Sequence, residues 1–251
     1  MVPKDVILAV LGKIRADGAV YKAIDFTGSY VDQLNVAGRM VICNMAVELG
    51  AKTAYMQPNQ AVLDYVGARA AGPWEVETTD PGYRYEESYV FDVSSLEPQL
   101  ACPDSVENVH PLTEVTAEGP VKLDQGYIGS CTGGREEDIA AAASILRGRH
   151  IPEYTRLVVV PASREVMLSC MEKGYIQDLM EAGATITTPG CGACLGAHEG
   201  ILAPGEVCIS STNRNFPGRM GSTEARIYLA SPAAVAASIL NGRITDPRIY
   251  L

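Results

Sequence analysis

Several features are missing from this chain. No apolar run approaches the ~18 residues of a membrane span. Basic residues are not in excess: 20 Lys and Arg stand against 30 Asp and Glu, for a formal net charge of −10. Nucleic-acid binding needs a basic stripe over the phosphates, so neither nucleic acid nor a membrane is the expected partner. A few local arginines can still capture a small anion. No short-period repeat or low-complexity tract is present. No signal-peptide pattern opens the sequence, because Met1-Val-Pro-Lys-Asp5 runs straight into a helical pattern. The seven cysteines are odd in number and lack disulfide-scaffold spacing, which points to a reducing cytosol and a cytoplasmic location. With 47% apolar residues the chain is globular, long enough for one large core or two modest ones.

Three of the cysteines carry the chemistry. Cys131 sits in Tyr127-Ile-Gly-Ser-Cys-Thr-Gly-Gly-Arg135, and Cys191 and Cys194 form Cys-Gly-Ala-Cys. No fourth ligand stands at a zinc-finger spacing. Three thiolates at one point leave a coordination position open, as catalytic metal sites do. A cubane iron–sulfur cluster normally takes four thiolates, so one held by three keeps an iron free. The plainer alternatives are a buried free thiol at Cys131 and a redox or zinc pair at Cys191/Cys194. His198 follows closely enough to complete a zinc set of three cysteines and one histidine, although packing is the commoner role. Cys43, Cys102, Cys170 and Cys208 read as small buried residues or free thiols.

Strand and helix patterns alternate along the chain, which implies parallel α/β layers. Helices are expected at 5–14, 36–49, 59–70, 136–146, 165–172 and 232–241. Strands are expected at 21–26, 53–57, 89–93, 127–129, 156–160, 207–212 and 226–230. We divide the chain into two α/β domains, residues 1–95 and 96–251, with a connector near 96–124. Cys131 lies on a strand-to-helix turn, where Gly133 and Gly134 permit close backbone approach. The acidic first turn Glu136-Glu-Asp138 marks the helix start. Helix N-termini favour anions such as thiolates.

Ligands of open α/β sheets bind beyond the carboxyl ends of the strands. Cys131, Cys191/Cys194 and the loop Ser211-Thr-Asn-Arg-Asn-Phe-Pro-Gly-Arg219 all follow expected strands and can share one crevice. Arg214 and Arg219 suit a polycarboxylate, since guanidinium groups bind carboxylates bidentately. Two solvated arginines on a surface turn are the alternative. Asn44 and Glu48 share a face of an otherwise apolar helix, where polar groups need partners or a function. The alternative there is an Asn at a helix contact and a solvated Glu.

At these residues the chain resembles the large subunit of 3-isopropylmalate dehydratase and the related archaeal-type homoaconitases of the aconitase superfamily. The matching stretches are Ile42-Cys-Asn-Met-Ala-Val-Glu48, Ile128-Gly-Ser-Cys-Thr-Gly-Gly-Arg135, Pro161-Ala-Ser-Arg-Glu165, Cys191-Gly-Ala-Cys-Leu-Gly196 and Ser211 to Gly221. The likeness runs nearly end to end, and the zinc and redox readings give way to it. It implies two parallel-sheet, three-layer α/β domains like aconitase domains 2 and 3. It implies a [4Fe-4S] cluster on Cys131, Cys191 and Cys194, and substrate binding by Arg214 and Arg219. Asn213 and Asn44 match asparagines near the cluster, and Glu48 matches a glutamate that approaches the open iron. The implied activity is that of a hydro-lyase, isomerising a 2-hydroxy polycarboxylate by dehydration and rehydration. The leading candidate is 3-isopropylmalate in leucine biosynthesis. A homoaconitase or aconitase-type hydratase, or a non-catalytic [4Fe-4S] module, is the alternative.

Two departures accompany the resemblance. Gly133 replaces the asparagine of the usual Ser-Cys-Thr-Asn-Gly. The family's first domain, with its Asp–His and Asp-Ser-His motifs, has no counterpart here, nor does the swivelling domain with its catalytic serine. The chain corresponds to the later, larger part of the family's large subunit. It could be a fragment, a truncated form or one piece of a split enzyme. The expected partners are a small swivelling-domain subunit and a separate first domain, and the lone chain is expected to be inactive.

Overall fold

The computed structural model describes residues 2–251. In chain order the elements are α1 (Pro3–Ile14), β1 (Ala23–Asp25), α2 (Ser29–Asp32), α3 (Val36–Met45), β2 (Thr53–Tyr55) and α4 (Gln60–Gly67). They continue with β3 (Gln99–Ala101), β4 (Val109–Pro111), α5 (Leu112–Ala117), β5 (Gln125–Gly129), α6 (Glu136–Leu146) and β6 (Arg156–Val160). The last are α7 (Arg164–Glu172), α8 (Tyr175–Glu181), β7 (Thr185–Ile186), β8 (Val207–Ser210), β9 (Arg226–Leu229) and α9 (Pro232–Asn241). Short 3₁₀ turns occupy Ala46–Leu49, Gly192–Leu195 and Pro247–Tyr250.

Two sheets form. β1 and β2 make a parallel pair, and the large sheet runs β4-β3-β9-β8-β5-β6-β7. The ladder from β9 to β7 is parallel throughout, whereas β3 joins both β4 and β9 in antiparallel fashion. The fold class is therefore mixed α/β with parallel-dominated sheets. Two local expectations fail. The connector at 96–124 is not merely a linker, since it supplies β3, β4 and α5 to the large sheet. Residues 89–93 form no strand. Their alternation is nonetheless used: Phe91 and Val93 turn toward the core, while Val90 is 98% exposed. Alternation reports which side chains are buried, not whether the backbone finds a ladder.

The large sheet is covered on both faces, which explains its near-continuous apolar strands. Tyr127, Val158, Val160, Cys208, Ile227 and Leu229 pack into one cluster with α1 and α3, through Ile7, Leu8, Leu11, Ile42 and Met45. The alternating partners Ile128, Leu157, Val159, Ile209 and Tyr228 enter a second cluster with α6, α8 and α9. Each fully buried Ile, Leu or Val contributes about 1.5–3 kcal/mol. α9 can lie close to the sheet because β5 has a glycine beneath it. A Cβ on Gly126 would stand 2.4 Å from Ile239 Cγ1. Several helices are capped from the side chain. Asn35 Oδ1 accepts from Gly38 N at 2.9 Å to start α3, and Ser163 Oγ accepts from Val166 N at 3.2 Å to start α7.

Candidate functional site

β5 ends at Gly129, and the chain turns sharply at Ser130, whose φ of 64° is unusual for a residue with a side chain. The turn is fixed by backbone bonds from Ser130 N to Val160 O at 3.0 Å and from Gly134 N to Ser130 O at 3.1 Å. Cys131 is exposed at its tip. α6 begins just beyond, with Asp138 Oδ2 accepting from Arg135 N at 3.0 Å, and Arg135 Nε donates back to Cys131 O at 3.0 Å. The expected strand–turn–helix placement of Cys131 is observed.

The loop after β8 is laid against this turn. Ser211 N donates to Tyr127 O at 2.9 Å. Ser211 Oγ accepts from Gly129 N at 3.0 Å and donates to Gly133 O at 3.1 Å. Thr132 Oγ1 donates to Asn213 Oδ1, and Asn213 Nδ2 lies 3.9 Å from Cys131 Sγ. Asn215 is 1% exposed and anchors the loop through Nδ2 to Cys102 O at 2.7 Å. The Cys191/Cys194 segment is a 3₁₀ turn held by Cys194 N to Cys191 O at 3.0 Å and by Tyr127 Oη to Cys191 O at 2.6 Å. Cys191 is exposed and Cys194 buried. Arg219 Nη2 lies 3.8 Å from Cys194 Sγ, so each end of the arginine loop touches a different cysteine.

Glu48 reaches this loop from the other side of the site. Its Oε1 accepts from Arg214 Nε at 2.8 Å. Burial pushes the Glu48 carboxyl up, while Arg214, Arg219 and Lys4 oppose that shift. Glu48 and Asn44 do not share a continuous α-helix, because α3 ends at Met45 and a 3₁₀ turn carries Glu48. Asn44 is exposed and borders a surface cavity with Met40, Cys43 and Val47. A second cavity lies beside Cys102 and His110, and neither is lined by the three cysteines or the two arginines.

A buried lysine that the sequence reading did not single out lies against the Cys131 turn. Lys4 on α1 is 2% exposed, and its Nζ lies 3.2 Å from Thr132 Oγ1, 3.1 Å from Thr212 O and 3.3 Å from Met45 Sδ. Burial pushes its pKa down to about 8, and the charges of Asp138, Cys131 and Cys194 oppose that shift. The signal was available: Lys4 lies in phase with Ile7, Leu8 and Leu11, on the apolar stripe of the helix.

Three cysteines supply the donors that a thiolate-bound group would need, and Asn213 and Arg219 approach two of their sulfurs. Among the described residues no three His, Cys, Asp or Glu side chains are grouped as for a single ion. Two further features suit an electron-rich group here. Lys4 brings a buried positive charge toward Cys131 and Cys194. Arg219 Nε is buried without a hydrogen-bond partner among the described residues.

Comparison with known proteins gives the family. Residues 1–242 match the family model of the aconitase family (aconitate hydratase). The chain is 51% identical over 245 residues to the probable methanogen homoaconitase large subunit of Methanothermobacter thermautotrophicus, covering 98% of this chain and 56% of that protein. It is 51% identical over 248 residues to 3-isopropylmalate dehydratase large subunit 1 of Methanopyrus kandleri, covering 99% of this chain and 59% of that protein. Against the 3-isopropylmalate dehydratase large subunit of a Hydrogenobaculum species the identity is 47% over 244 residues, with 97% and 57% coverage. The chain thus spans less than two-thirds of the length of these relatives. With a family match over nearly all of its residues, the chain belongs to the aconitase family.

Proposed function

We propose that this chain is the cluster-bearing part of a hydro-lyase that isomerises a 2-hydroxy polycarboxylate by dehydration and rehydration. The observation that carries the proposal is the loop from Asn213 to Arg219, which sets Arg219 beside Cys194 and Asn213 beside Cys131. Cys131, Cys191 and Cys194 would hold a [4Fe-4S] cluster. When bound, that group supplies Lewis acidity at the iron without a protein thiolate.

The chain's own residues then divide the remaining work. Arg219 presents a guanidinium whose Nε has no hydrogen-bond partner among the described residues, ready for a substrate carboxylate. Arg214 can bind a second carboxylate by exchanging its bond from Glu48. That exchange would free Glu48, whose carboxyl is pushed up by burial, to act toward the bound acid. Asn213 orients the Cys131 side of the site through Thr132. Asn44 makes no side-chain hydrogen bond to these groups among the described residues, and it lines a separate surface cavity. The dehydration also needs a base at the carbon that loses its proton. We assign that base to a small partner subunit, in keeping with the "large subunit" in the relatives' names.

On substrate, the relatives divide. Two at 51% identity are named for different acids, one a homoaconitase and one a 3-isopropylmalate dehydratase. We favour 3-isopropylmalate, with homocitrate-type acids as the second reading. The test begins with anaerobic reconstitution, which should bring iron and sulfide toward four of each per chain. Serine at Cys131, Cys191 or Cys194 should abolish sulfide retention, while serine at Cys170 should not. The loaded chain is then assayed on both acids, alone and with a small subunit and first domain. Stoichiometric zinc without sulfide in anaerobically purified protein would sink the proposal.

A further inference from the structure

The site leaves one buried charge without an obvious reason. Lys4 is 2% exposed, yet all three of its contacts are neutral: a hydroxyl, a backbone carbonyl and a thioether. Among the described residues Lys4 makes no ion pair within 4.0 Å. Asp138 is the strongest charge attracting Lys4, but the two make no ion pair. Asp138 accepts from Arg135 N at 3.0 Å, and Asp5 accepts from Gln99 N at 3.2 Å. A methionine or leucine would fill the same space at far lower desolvation cost, so packing alone does not call for an ammonium.

The position of the ammonium supplies a reason. Thr132 follows Cys131 directly, and Thr212 precedes Asn213, which lies 3.9 Å from Cys131 Sγ. Lys4 therefore ties the Cys131 turn and the loop after β8 to α1. We propose that Lys4 is a positioning residue and counter-charge for the three-cysteine centre, stabilising a bound iron–sulfur cluster and raising its reduction potential. This rests on the cluster reading above. A [4Fe-4S]²⁺ core on three thiolates is an anion, and one-electron reduction makes it more negative. A fixed cation behind the ligands favours the more negative states and holds the thiolates in place. Net charge and hydrogen bonding around a cluster are known determinants of its potential.

The experiment compares wild type with Lys4→Met, Lys4→Gln and Lys4→Arg after anaerobic reconstitution. It reads iron and sulfide content, the rate of cluster loss to a chelator, and the midpoint potential in a dithionite titration followed by electron paramagnetic resonance. Lys4→Met and Lys4→Gln should lose the cluster about 10- to 100-fold faster, with the potential shifted down. Lys4→Arg should recover much of both. Melting of the metal-free proteins separates this from a purely structural role, and Lys4→Gln decides if Lys4→Met does not fold. Wild-type retention and potential in Lys4→Gln would overturn the assignment while leaving the cluster reading intact. A wild-type chain that takes up no sulfide would overturn both.

Discussion

Arg214 donates from Nε to Glu48 Oε1 at 2.8 Å across 166 residues of sequence. The bond joins the loop after β8 to the 3₁₀ turn behind α3, so one guanidinium serves both fold and ligand. Removing only the arginine strands a largely buried carboxylate. Arg214→Ala should cost about 1–3 kcal/mol in the metal-free chain. The double variant with Glu48→Gln should recover part of that loss. Urea denaturation of the two single variants and the double variant tests the coupling, and strictly additive losses would dissolve the pair.

Arg219 should behave differently. Its Nε has no partner among the described residues, and its Nη2 meets only a sulfur at 3.8 Å. Arg219→Ala should leave the urea midpoint nearly unchanged. Losing a charge-assisted hydrogen bond costs about 1.5–3 kcal/mol, so polycarboxylate binding should weaken about ten- to a hundred-fold. Titration calorimetry on the loaded protein, assembled with its partner subunit, measures this. Unchanged affinity would remove Arg219 from the binding set.

Gly133 is fixed by sterics. A Cβ there would stand 2.2 Å from Ser211 Oγ and 2.4 Å from Ser211 O. Gly133→Ala and Gly133→Asn should each destabilise the chain by about 1–3 kcal/mol through overpacking. Ser211→Ala should not rescue them, because the backbone oxygen remains. Full rescue in a thermal melt would locate the conflict in the serine hydroxyl instead.

Much of the site could be read from the sequence, and the rest could not, for identifiable reasons. Cys131 on a strand–helix turn was legible because glycines and an acidic first turn frame it. The placement of the Asn213–Arg219 loop beside Cys131 was legible because both follow strands, but the bond from Arg214 to Glu48 was not, since nothing local connects positions so far apart. Asn44 and Glu48 seemed to be helix neighbours because spacing cannot announce where an α-helix tightens to 3₁₀. The strands at 99–101 and 109–111 were missed because they are short and lie among prolines. Their stability comes from pairing with each other and with β9, not from their own pattern.

Asp5 offers a pH-dependent check. Burial pushes its carboxyl up from 3.8 to about 6. The native state therefore holds this proton more tightly than the unfolded chain. That stability is fully present below about pH 4 and is lost as pH rises through 6. Asp5→Asn should be more stable than wild type at pH 7 by up to about 3 kcal/mol at 1.36 kcal/mol per unit. The gap should close as pH falls toward 4. A difference that does not vary between pH 4 and 7 would mean the carboxyl titrates normally.

The contact of Lys4 with Thr212 spans 208 residues, and it dictates when the site can exist. α1 leaves a ribosome well before the sheet face it covers, which is built from strands between Tyr127 and Leu229. Until β9 has emerged, the apolar stripe of α1 has no complete surface to bury. The cysteine cradle is thus completed only after this long-range closure, at high loop-closure cost. Any machinery that delivers iron and sulfide would meet a finished pocket only after β9 has joined, and the exposed helix would need shielding in the interval.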